Sequence, residues 1–338
     1  MRRAGQLIER IADADNLRLA FWKAARGKRT KPEVLRFREN LNEELCSIRE
    51  GFLSGCMAWG PYRTFLIRDP KERTISVAPF RDRVAQHAIM NVAEPVFEGY
   101  QIHDSYACRP GKGLDGAIDR SKRFSRAGDW YLKLDVRKYF DSIDHTALKR
   151  LLRRRFKDRR LLAVFDGIID SSAAEPGRGL PIGNLTSQFF ANHYLAVADH
   201  HIKETLRCRR YVRYMDDLVV WEHRRDDLRR IRDEIARFLD ERLRLELKPP
   251  CLNACSRGMT FLGYRVFPGR LRLARRGRNR FRQKMRLYHQ THRDGAWDEQ
   301  TLARHVGPLL AFVRRAESTE FRRRVLESLG LCPWARTA

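Results

Sequence analysis

Acidic residues are scarce in this chain of 338 residues: 42 Asp and Glu stand against 69 Lys and Arg, leaving a net charge of +27 at neutral pH. That excess excludes a basic or neutral surface as the main partner and calls for a polyanion, nucleic acid ahead of an acidic membrane. A long apolar run is also missing. Nothing approaches the ~20 residues of a membrane span, and no segment reads as a purely amphipathic, basic helix of the kind that lies on a bilayer. The N-terminal MRRAGQLIERIADAD places Glu9, Arg10, Asp13 and Asp15 where a secretory leader needs an apolar stretch, so a cytoplasmic location without membrane contact is expected. The seven cysteines are odd in number and share no repeated spacing, which argues against a disulfide framework. Cys251 and Cys255 would supply half of a zinc site, but no second pair follows, and free thiols are expected. Internal repeats and low-complexity linkers are absent too.

What is present is periodic, and long enough for two or three lobes around one cleft. Residues 1–60 read as a helical N-terminal extension, with Val34, Phe37, Leu41, Leu45 and Ile48 at helical spacing and Gly51 and Gly55 as stops. Thr64–Ile67 and Thr74–Val77, around the turn-like Asp69-Pro70-Lys71-Glu72, predict a hairpin. Val84–Phe97 returns to helical spacing. Trp130–Leu134 reads as a buried strand ending at Asp135, with a helix after Asp144. Tyr211–Trp221 is apolar on both sides of Met215-Asp216-Asp217, which suits two strands with the acidic pair at their bend. Asp226–Leu243 is the clearest helix, with Leu228, Ile231, Ile235, Phe238 and Leu239 on one face. Phe261–Leu273 reads as one hairpin turning at Pro268-Gly269. From Arg265 to Arg293, eleven Lys and Arg without one Asp or Glu concentrate the positive field.

Asp135 at a strand end and Asp216-Asp217 at a hairpin tip carry the chemistry. Gathered carboxylates need a cation, and oxygen ligands of this kind suit Mg²⁺, which keeps waters and accepts substrate phosphates as its other ligands. Two such ions ~4 Å apart can activate a primer 3′-hydroxyl and steady a leaving pyrophosphate. An Asp-Asp pair alone is weak evidence, because most such pairs sit in solvated turns.

The surrounding residues add the context. Tyr214-Met215-Asp216-Asp217, flanked by Tyr211-Val212-Arg213 and Leu218-Val219-Val220, resembles the central catalytic motif of reverse transcriptases, and the likeness runs in order across roughly residues 60 to 270. The resemblance implies an α+β, right-hand polymerase fold: fingers over 61–125, a palm over 126–270 with segments that contribute to the fingers, and a basic helical thumb over 271–338. It implies Asp135, Asp216 and Asp217 as catalytic metal ligands, with the Val136 carbonyl as a further oxygen. Lys71 and Arg73 look like the finger residues that clamp the incoming triphosphate through charge-assisted bonds. His103–Gly113 resembles the next family block; it is no Walker loop, since no Ser or Thr follows Lys112. Within Leu134–Asp141, Phe140 falls where these enzymes place a ring that excludes a ribonucleotide 2′-hydroxyl, while Asp141 and Asp144 read as capping or surface residues. Ile182 and Gly183 would lie beneath the incoming nucleotide, with Lys248 also on it. Arg63, Tyr214, Met215 and the run Phe261-Leu262-Gly263-Tyr264 would meet template and primer, joined by the thumb's Arg275, Arg276, Arg278 and Arg280.

Two departures from the common family pattern narrow the branch. In Gly179-Leu180-Pro181-Ile182-Gly183-Asn184-Leu185-Thr186-Ser187-Gln188, most relatives have Gln at the place of Ile182 and Pro at that of Gln188. An apolar residue there and a Ser-Gln ending resemble the reverse transcriptases of diversity-generating retroelements, as do Asn16–Arg29 and Gly60-Pro61-Tyr62-Arg63. Those enzymes copy a template repeat RNA with frequent errors at adenine, and the cDNA rewrites a variable gene. The expected partners are template RNA, DNA primer and cDNA, dNTPs and a small basic accessory protein. No protease, endonuclease or zinc-finger extension is recognisable. A retron-type or antiphage reverse transcriptase acting on its own RNA is the near alternative, and a non-catalytic RNA-binding protein on a decayed polymerase fold the remote one.

Overall fold

The computed structural model describes residues 3–68, 72–171 and 175–331. Helical spacing in the N-terminal extension becomes the helices Ile8–Ile11, Ala14–Ala25, Pro32–Glu39 and Leu41–Ser54. Asp13 starts the second by accepting the Asp15 and Asn16 N–H groups at 3.0 and 3.2 Å, and Gly55, at φ 74°, ends the fourth in the left-handed region that a glycine enters freely. Their apolar sides close on the long helix Phe80–Glu98. Phe21, Phe37 and Phe80 meet there with ring centroids 5.1–6.1 Å apart, each burial stabilising by ~1.5–3 kcal/mol. A second aromatic cluster, Phe97, Phe156, Phe165 and Phe190, joins the far end of that helix to Arg159–Asp170 and Leu185–His200.

Strands β1 (Arg63–Arg68) and β2 (Glu72–Val77) pair antiparallel from Arg63 opposite Val77 to Arg68 opposite Glu72. β3 (Trp130–Asp135), β4 (Tyr211–Tyr214), β5 (Asp217–Glu222) and β6 (Cys251–Ala254) form one sheet in the order β4-β5-β3-β6. The helix after Asp144 spans His145–Arg153, and Asp144 caps it by accepting the Ala147 N–H at 2.8 Å. Chain contacts divide the molecule into two compact units. One comprises Met1–Gly113, Leu134–Leu218 and Ile231–Pro250; the other comprises Leu114–Lys133, Val219–Arg230 and Cys251–Ala338.

Two expectations need correction. Phe261–Leu273 holds the expected hairpin at Pro268-Gly269, β8 (Tyr264–Val266) with β9 (Leu271–Leu273), but it also begins at the end of a third strand, β7 (Met259–Phe261), that pairs with β8. Leu262 and Gly263, at φ 48° and 86°, turn the chain between β7 and β8. Leucine is a rare first residue for a two-residue turn with both φ positive, so the sequence concealed it. The helix Arg275–Arg293 is basic and amphipathic after all. Phe281 and Met285, one turn apart, are buried, and Phe281 packs 5.7 Å from Phe321. Its apolar side is therefore spent on packing within the second unit, and dense cations around it had hidden the spacing. Among the described residues no helix is long and apolar enough to cross a membrane.

Candidate active site

Buried strands deliver the three aspartates. Leu132, Leu134 and Val136 are core residues of and beside β3, and their alternation leaves Asp135 on the other face, half-buried at the strand's end. β4 and β5 are apolar through Tyr211, Val212 and Leu218–Trp221, so the polar link between them falls at Met215-Asp216. Met215 takes φ 52°, a left-handed conformation that costs a side-chain-bearing residue ~1–2 kcal/mol. Burial pushes the Asp216 carboxyl above the usual carboxylate range; a backbone N–H opposes this, the Asp217 and Asp135 carboxylates add to it, and Lys248 offsets part. Asp216 thus feels both other carboxylates, which is the electrostatic condition for attracting a cation.

Lys248 supplies that cation in this structure. Its Nζ lies 2.6 Å from Asp135 Oδ1, and its backbone N–H donates to the Asp135 carbonyl at 2.8 Å. The Arg137 N–H donates to the Glu246 carbonyl at 2.8 Å. Val136 and Leu247 between them form a bridge whose own polar groups point away from each other. The Val136 carbonyl is thereby directed away from Leu247. Among the described residues no three His, Cys, Asp or Glu stand in an array that could hold a metal by themselves. The donor set nevertheless fits a hard divalent ion: carboxylate oxygens with a backbone carbonyl, no nitrogen or sulfur, and a protein cation already drawn to them.

The loop Gly179–Gly183 packs on the segment that follows Asp135 in the chain. Its Gly179 and Leu180 N–H groups donate to the carbonyls of Ile143 and Phe140, both at 2.9 Å, and its Ile182 carbonyl accepts the Ser76 N–H of β2 at 2.8 Å. A Cβ on Gly183 would come 2.9 Å from Ile75 and 3.0 Å from the Ser76 carbonyl, and its φ is 116°, so only glycine lets β2 approach this closely. Thr74, Ser76, Lys138, Asp141, Arg178 and Ile182 line a cleft of about 410 Å³ there. Phe140 is half-buried, its ring edge-on to Tyr139 at 5.7 Å. Arg73 is exposed on β2 opposite Ile67. Lys71 lies outside the described residues. Arg63 lines a separate basic cleft with Lys28, Lys31, Arg36 and Arg83.

Other predicted site residues belong to the second unit. Phe261 and Tyr264 are buried, the Tyr264 hydroxyl donating to the Phe312 carbonyl at 2.7 Å, and a Cβ on Gly263 would stand 2.8 Å from the Phe312 ring. Arg275, Arg276, Arg278 and Arg280 are exposed on the basic helix, Arg278 lying 5.0 Å over the Phe321 ring. Sequence reasoning passed over Arg213, which is wholly buried and forked onto Asp199 directly below the Asp216 turn. The signal was there: an arginine between Val212 and Tyr214 in an otherwise apolar strand.

The chain is similar to several known proteins. Protein YkfC of Escherichia coli (strain K12) is 26% identical over 279 residues, covering 68% of this chain and 72% of that protein. The group II intron-encoded protein LtrA of Lactococcus lactis subsp. cremoris is 21% identical over 266 residues, 58% of this chain and 44% of LtrA, so the chain spans less than half of that relative. Among solved structures, an apo telomerase from Candida tropicalis, truncated from its C-terminal domain, aligns with 64% of this chain and 56% of its own at 13% identity, with a TM-score of 0.47. The family profile of the reverse transcriptases matches residues 68–266, more than half of the chain. With its antiparallel sheets, its strand-end aspartates and that match, the chain has the α+β right-hand polymerase fold and belongs to the reverse transcriptase (RNA-dependent DNA polymerase) family.

Proposed function

We propose that this RNA-directed DNA polymerase copies a template repeat RNA into adenine-mutagenised cDNA, with two Mg²⁺ ions held by Asp135, Asp216, Asp217 and the Val136 carbonyl. The observation that carries the polymerase reading is the Asp216 turn between β4 and β5, whose carboxyl feels both Asp217 and Asp135, with the Lys248 ammonium 2.6 Å from Asp135. Bound there, divalent ions would favour attack by a primer 3′-hydroxyl and neutralise the leaving pyrophosphate. The chain's own residues do the rest. Lys248, freed from Asp135, would turn to the nucleotide's phosphates together with Arg73 and Lys71, and the Gly179–Gly183 loop would carry the base and sugar. In this reading fingers, palm and thumb follow 61–125, 126–270 and 271–338. Template RNA, primer and dNTPs are the ligands, and the protein works in the cytoplasm. A small basic accessory protein would be repelled by a chain of +27, so RNA between the two would bridge them.

Ile182 supports the mutagenic branch. A glutamine in its place would hydrogen-bond, whereas isoleucine offers a stiff apolar surface beside the cleft. Each ~1.4 kcal/mol lost from the difference between right and wrong nucleotides multiplies errors about tenfold. Ile182→Gln is expected to lower misincorporation opposite template adenine more than opposite other bases. Sequencing cDNA made by both proteins on one RNA checks this; equal adenine error rates with activity retained would remove Ile182 from fidelity. Likeness to an intron-encoded protein favours the second reading, a reverse transcriptase of another bacterial branch. Faithful cDNA from the RNA encoded beside the gene would decide for it.

Two further outcomes follow from placement. Phe140→Val opens the space a ribonucleotide 2′-hydroxyl needs and should relax rNTP exclusion by at least ~tenfold, ~1.4 kcal/mol, in extension assays; unchanged discrimination would free Phe140 of that role. Neutralising Arg275, Arg276, Arg278 and Arg280 together should flatten the salt dependence of RNA binding, each lost phosphate contact lowering the log–log slope by roughly 0.7 to 0.9. An unchanged slope would mark them as a solvated face.

A further inference from the structure

Beneath the turn that carries Asp216 lies a fully buried polar group on which the chemistry described so far makes no demand. Arg213 is 0% exposed, the penultimate residue of β4, two positions before Met215. Its Nε donates to Asp199 Oδ1 and Oδ2 at 2.8 and 2.9 Å, and its Nη2 to Asp199 Oδ2 at 2.7 Å. The Tyr211 hydroxyl adds a third donor to the same carboxylate at 2.7 Å. With one edge of the guanidinium committed, the remaining N–H groups spread to three chain segments. Nη1 reaches Asn192 Oδ1 at 3.0 Å and the Met215 carbonyl at 3.1 Å; Nη2 reaches Gln101 Oε1 at 3.1 Å and the Asn192 carbonyl at 3.3 Å. The Arg213 backbone is equally tied, its N–H donating to the Asp104 carbonyl at 2.9 Å and its carbonyl accepting the Tyr106 N–H at 3.0 Å.

A residue held at φ 52° without being glycine persists only where its surroundings over-determine it. Met215 is such a residue, and among the described residues the side chain that bonds its carbonyl is Arg213. We infer that Arg213 is a positioning residue: locked by Asp199, it fixes the left-handed Met215 turn and so sets where Asp216 stands. The planar fork is required for this. A lysine can satisfy Asp199 or reach the Met215 carbonyl, but one ammonium cannot present parallel donors to both. The inference deepens the polymerase reading and rests on it only for its kinetic consequence.

Arg213→Lys, in the full chain, is the test, read by primer extension and by hydrogen exchange of the amides in 211–218. The expected result is a folded protein that binds template RNA as wild type does. Its kcat should be lower by about a hundredfold, the scale that a displacement near 1 Å produces. KM for dNTP should stay within about threefold, and exchange at Met215–Asp217 should quicken. Wild-type exchange in the turn would overturn the inference, whether or not kcat falls, because it would mean that Arg213 does not hold the turn. Should Arg213→Lys fail to fold, Gln101→Leu decides: it removes one 3.1 Å bond to the guanidinium and leaves Asp199 engaged. Faster turn exchange and a several-fold lower kcat at wild-type thermal stability would support the inference, and no change in exchange would overturn it. Wild-type protein without primer extension would refute the polymerase reading instead, and the exchange measurement would still judge Arg213.

Discussion

Asp216→Asn is expected to reduce primer extension on an RNA template by about a thousandfold or more, ~4 kcal/mol of transition-state stabilisation, while template binding stays near wild type. The amide occupies the same volume, so the turn between β4 and β5 keeps its packing. What changes is charge at a half-buried carboxylate whose proton affinity already rises from burial and from Asp217 and Asp135. Removing that negative charge relieves the repulsion, so the free protein should be no less stable. Only the site's attraction for cations weakens. Activity within tenfold of wild type would exclude Asp216 as a ligand, whatever happened to stability.

Asp199→Ala should have the largest effect on stability, a loss of ~3–5 kcal/mol, because it leaves the Arg213 guanidinium buried without its carboxylate. Both side chains are 0% exposed, so no water replaces the lost partner. Burial alone would lower the Arg213 pKa, and Asp199 reverses this and holds it above the ordinary arginine value. Without Asp199 the protein must either bury a lone charge or open the helix Leu185–His200 to hydrate it. Denaturant titration at neutral pH measures the loss. The double variant Asp199→Leu with Arg213→Met removes both charges and should recover most of the stability but not the activity. A single variant within 1 kcal/mol of wild type would mean that solvent already reaches the pair.

Local pattern explains why much was legible in advance. Helical spacing foretold the N-terminal helices and the long helix before the sheet, since an apolar face at 3.6-residue period has few other uses. The hairpin β1–β2, the strand bearing Asp135 and the two strands flanking Asp216 were legible for the same reason, alternation or apolar runs bounded by turn residues. The Leu262-Gly263 turn was not, because its first residue is atypical for its backbone. Nor was the destination of the apolar side of Arg275–Arg293, which depends on Phe321, some 40 residues downstream.

By itself the sequence determined the partner's sign of charge, through an excess of 27 positive charges that no folding can hide, and the placing of Asp135, Asp216 and Asp217 at or beside the ends of apolar strands. It also determined the glycine at position 183, given a loop that has to admit a neighbouring strand. Only the tertiary structure decided that Lys248 reaches Asp135 from 113 residues away, that Ser76 of the hairpin bonds the Ile182 carbonyl, and that Asp199 is the partner of Arg213. Each is a pairing between segments remote in sequence. Residue type fixes that a buried charge needs a partner; which partner it meets is fixed by how the helices and strands pack, and that information no local window contains.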